Sequence, residues 1–108
     1  MSSEPTAARE SFGDTAPALA EYTDQVLYGS VWERQDLSKR DRCLITVASL
    51  VTLYRSNELP FHMKNALKNG VSKEEILGVI THLAFYSGWP TAMGAMVVAK
   101  QVFAEHEG

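Results

Sequence analysis

Helix start and stop signals recur at short intervals between residues 38 and 103, and they constrain the fold more than any other feature of the chain. In LSKRD, Ser38 is placed to cap the amides of residues 40 and 41, and Asp41 stands where a capping-box acid stands. SKEE repeats the signal with Ser72 and Glu75. Pro60 and Pro90 suit first helical turns, whose amides lack partners in any case. Gly70 suits the left-handed position just past a helix end. Between these marks RCLITVASLVTLYR is nearly all apolar and too long for a strand without a turn residue, which favours a buried helix. Ile76, Val79, Ile80 and Leu83 form one stripe, and the last helix is expected to turn Met93, Met96, Val97 and Phe103 inward. A further helix is expected from Pro17 to about Gly29. The sequence thus predicts an all-α, single-domain bundle of about five helices over residues 16–108. Residues 1–15, MSSEPTAARESFGDT, are polar and broken by Pro5 and Gly13, and they predict an arm that is loose or drapes over a partner.

A 108-residue chain buries only about two-thirds of the surface that it exposes when unfolded. Yet 45% of its residues are hydrophobic, crowded between residues 43 and 103, so self-association is expected. The formal charge of -3 and the scattered basic residues exclude a phosphate-binding face, hence nucleic acid. The first twenty residues carry Glu4, Arg9, Glu10 and Asp14 with no apolar core of a signal peptide, and no apolar run is long enough to span a bilayer. A single cysteine, Cys43, excludes an internal disulfide and suits a reducing cytoplasm.

Several residues could carry chemistry. Glu58 and His62 lie four apart behind a helix start, so they stack on one face. Such a pair is common on solvated faces. Here Pro60, Phe61, Met63 and Ala66 surround it, and a carboxylate beside a half-buried imidazole tunes the charge state that acid–base chemistry uses. Two ligands without His-Glu-x-x-His or a cysteine cluster do not make a zinc site, and no metal or cofactor is expected. Cys43 is either a small buried hydrophobe or a thiol activated by Arg42 and a helix start. His82 is either a core histidine or a second lining residue of the His62 pocket. Tyr86 and Trp89 are packing residues or a substrate platform. Arg40 and Arg42 are solvated, or clamp a substrate carboxylate. His106 sits in a polar tail and is set aside.

From about Tyr28 to Phe103 the chain resembles the carboxymuconolactone decarboxylase family. The resemblance rests on Glu-x-x-x-His at Glu58 and His62, the Ala-x-x-x-Gly that follows, and His-Leu-Ala-x-Tyr-x-Gly-x-Pro ending at Pro90. It implies an all-helical fold shared with alkyl hydroperoxidase D-type antioxidant proteins, assembled as trimers or hexamers. Those antioxidant relatives carry Cys-x-x-Cys-x-x-x-His; with the histidine laid on His62, Arg55 and Glu58 replace the two cysteines, which excludes dithiol peroxide reduction. Many members carry an acid in the earlier helix where this chain has Cys43. The activity implied is cofactor-free decarboxylation of a small lactone carboxylate. In that reading His62 donates the proton, Glu58 sets its orientation, and His82 or Arg42 stabilises the enolate or holds the carboxylate. Tyr86 and Trp89 would line the substrate. The alternatives are a peroxidase-type stress protein acting through Cys43 and a non-catalytic small-molecule binder.

Overall fold

The computed structural model describes residues 5–107, which divide into two compact units, one ending at Lys39 and the other beginning at Arg40. Six α-helices and no strand occur among the described residues, so the all-α expectation holds.

The first unit holds α1 (Ala7–Phe12) and α2 (Pro17–Glu21), which opens on its proline as the sequence predicts. The helix expected to continue to Gly29 widens instead into a π-helical stretch, Tyr22–Tyr28, followed by a 3-10 turn, Val31–Glu33. At the change of pitch the Thr23 hydroxyl donates to the Leu19 carbonyl at 2.7 Å, a side-chain bond that competes with the backbone ladder. α1 lies within the stretch expected as an arm. Its capping position, Thr6, supplies no side-chain bond. Asp24 supplies it from afar: its Oδ1 accepts from the amide of Ala8 and its Oδ2 from the amide of Arg9, each at 2.9 Å, and the carboxylate is buried. No local pattern announces a cap that comes from 15 or 16 residues away.

The remaining helices are α3 (Lys39–Thr52), α4 (Leu59–Lys68), α5 (Lys73–Tyr86) and α6 (Trp89–Glu107). The Ser72 capping box is complete: its hydroxyl accepts from the Glu75 amide at 3.0 Å and the Glu75 carboxylate accepts from the Ser72 amide at 2.9 Å. Val47, Val51, Leu59, Met63, Ile76 and Val102 are fully buried, and α6 packs on α4 and α5. The register expected for α6 is corrected. Met93, Met96 and Val97 face outward, Val97 being 61% exposed, while Ala92, Ala95, Ala99 and Val102 are buried. Small side chains let α6 approach its neighbours closely, so the alanines rather than the larger residues take the inner face.

α3 and α4 end alike. After α4, the Val71 amide bonds the Ala66 carbonyl at 3.0 Å and the Gly70 amide bonds that of Leu67, with Gly70 at φ 95°. After α3, the Arg55 amide bonds the Leu50 carbonyl at 2.9 Å and the Tyr54 amide bonds that of Val51 at 3.0 Å. There the left-handed position, φ 61°, is held by Tyr54. A bulky residue in that conformation costs about 1–2 kcal/mol relative to glycine.

Candidate active site

Glu58 is the last residue before α4 and His62 lies one turn inside it, on the same face, as the sequence predicts. His62 is half-buried and meets Phe61 edge to face, ring centroids 5.0 Å apart. Burial pushes its imidazole below the ordinary range, and the charge of Glu58 pulls against that shift. The carboxylate itself is engaged elsewhere: Glu58 Oε1 accepts from Arg55 Nε at 2.5 Å. Glu58 therefore acts on the ring through its charge, while Arg55 fixes the carboxylate. The Arg-x-x-Glu spacing is the signal that points to this pairing. Tyr54, Arg55, Ser56, Asn57 and Glu58 line a hollow of about 210 Å³, and His62, expected to line a pocket with Glu58, is not among its lining residues.

Cys43 packs against α4 at Asn65. Its Sγ donates to the Asn65 carbonyl at 3.8 Å and accepts from Asn65 Nδ2 at 3.6 Å. The residue is 2% exposed, and burial pushes the thiol up, with a bond from Asn69 opposing the shift. An activated thiolate requires the opposite shift. The Cys43 environment is that of a small buried hydrophobe.

His82 is exposed on α5 rather than in the core, and its ring stacks on Tyr86 at 4.5 Å. It borders a second, largely apolar hollow of about 430 Å³ with Leu44, Ile45, Val79 and Leu83. Neither Glu58 nor His62 is among the residues lining that hollow, so within one chain His82 and Glu58 border different hollows. Tyr86 and Trp89, 76% and 59% exposed, continue outward from His82, and Phe85 meets Trp89 edge to face at 5.6 Å. Arg42 is buried. Arg40 pairs with Glu75 and with Asp41. Among the described residues no three His, Cys, Asp or Glu side chains gather as a metal site requires, and no helix is long and apolar enough to cross a membrane.

Residues 17–101 match the carboxymuconolactone decarboxylase family over most of the chain. The chain belongs to that family. Among carboxymuconolactone decarboxylase relatives, it is 33% identical over 96 residues to a 4-carboxymuconolactone decarboxylase of Acinetobacter baylyi, covering 89% of this chain and 72% of the relative. It is 34% identical over 74 residues to a nitrosuccinic acid decarboxylase of Metarhizium robertsii. That match covers 68% of this chain, which spans only 52% of the relative's length. The family segment includes Glu58, His62 and Cys43 together with His82, Tyr86 and Trp89.

Proposed function

We propose that the protein is a cofactor-free decarboxylase of a small carboxylic acid that carries an electron-withdrawing group beside the scissile carboxylate. The observation that carries this reading is a half-buried His62 under the charge of Glu58, in a chain of this family. The substrates in the relatives' names share one chemical property: the nitro group of nitrosuccinic acid and the lactone carbonyl of 4-carboxymuconolactone each accept an electron pair. As the bond to the carboxylate carbon breaks, its electron pair moves into that group, carbon dioxide leaves, and a proton must reach carbon. His62 gives that proton and is recharged from water. Glu58 supports the charged ring, and Arg55 holds Glu58. Because His82 borders a different hollow from Glu58 within one chain, it can take the developing oxyanion, with Tyr86 and Trp89 as the platform for the substrate's flat face, only where a second copy brings them to the site. Arg42, buried as it is, is a poorer clamp for a substrate carboxylate than the exposed Arg55. The apolar stripe Trp89, Met93, Met96 and Val97 on α6 supports a homo-oligomer, trimeric or hexameric, working in the reducing cytoplasm that a lone thiol suits.

The test is carbon dioxide release from 4-carboxymuconolactone and from nitrosuccinate. His62→Ala is expected to lower kcat by about 10²–10⁴-fold. A His62→Ala protein that keeps the wild-type rate removes this mechanism. Cys43→Ser is expected to leave the rate unchanged.

A further inference from the structure

We infer that Tyr54 is a substrate-contacting residue of the hollow that it lines with Arg55 and Glu58, its hydroxyl donating to an oxygen of the bound acid; the inference rests on the decarboxylase reading. Three observations converge on it. First, Tyr54 occupies the left-handed position of a helix ending whose twin, at the end of α4, is held by Gly70. Glycine would relieve the backbone there, so the tyrosine side chain has a use that outweighs the conformation. Second, burial is not that use, because the residue is 64% exposed. Third, the ring lies against an element outside its own loop. It lies over Gly94 of α6, where an added Cβ would stand 3.1 Å from Cε1 and 3.7 Å from the hydroxyl oxygen of Tyr54. A side chain there would press on the ring. The residue so positioned lines the hollow that Glu58 and Arg55 also line. A phenol beside a guanidinium suits the oxygens of a carboxylic acid, since both donate hydrogen bonds and a charged acceptor strengthens each.

The variants are Tyr54→Phe, which keeps the ring, and Tyr54→Gly, which relaxes the backbone. Each is assayed for turnover, for thermal stability and for succinate binding followed by NMR titration. Expected are a KM raised about tenfold or more and succinate binding weakened by a similar factor. Neither change should be accompanied by a lower Tm, a combination that a purely structural residue would not give. If the wild type turns over substrate and both variants keep KM within twofold, the inference is overturned and the decarboxylase reading stands. If the wild type turns over neither compound yet binds succinate in a Tyr54-dependent way, the reading falls and the contact stands. No turnover, with succinate bound equally by all three proteins or by none, overturns both.

Discussion

The ends of α3 and α4 are built from the same pair of backbone hydrogen bonds, yet one is closed by Tyr54 and the other by Gly70. At Gly70 a Cβ would meet nothing within 4 Å, so its glycine answers to backbone conformation alone. At Tyr54 the same conformation is accepted with a large aromatic side chain. The α4 ending terminates a helix. The α3 ending terminates a helix and also presents a ring beside the candidate catalytic carboxylate. The same hydrogen-bond pattern therefore serves two purposes, and the residue identity tells them apart.

Substitutions can break or sharpen this contrast. The largest effect is expected for Gly70→Tyr, which copies the α3 arrangement onto α4 with no hollow to serve. Denaturant unfolding should show a loss of about 1–2 kcal/mol. An unchanged midpoint would mean that the left-handed turn tolerates aromatics freely, and the contrast would dissolve. Ser72→Ala, at a helix start closed by purely local bonds, should cost about 1 kcal/mol and leave turnover alone. Tyr54→Gly should move the midpoint by a few tenths of a kcal/mol at most, because backbone relief and lost ring contact on Gly94 oppose each other. The smallest effect concerns pH. Burial holds the folded His62 below its unfolded value of about 6.5, so the unfolded chain binds the proton more readily. Stability should thus be full above about pH 6.5 and decline as pH falls toward the depressed folded value, and His62→Gln should flatten that slope.

Much of α3 to α6 was legible because its determinants are local. Pro60, Gly70 and the Ser72–Glu75 box sit within a few residues of the ends they define. Glu58 and His62 were legible as a pair for the same reason, since a four-residue spacing fixes a shared helix face. What escaped was set by distant partners. The cap on α1 belongs to Asp24, and the ring of Tyr54 is seated by Gly94. The outward turn of Met93, Met96 and Val97 depends on which face of α6 meets α4 and α5, a choice that hydropathy alone assigned to the larger side chains. The link between Glu58 and Arg55 lay in plain spacing but competed with the expectation that the carboxylate serves His62 directly.

The long-range cap has a consequence for how the protein is made. A ribosome releases Ala8 and Arg9 well before the carboxylate that engages their amides. A helix of six residues is far too short to persist on its own in water. Ala7–Phe12 must therefore wait, without its helix, until residue 24 has emerged.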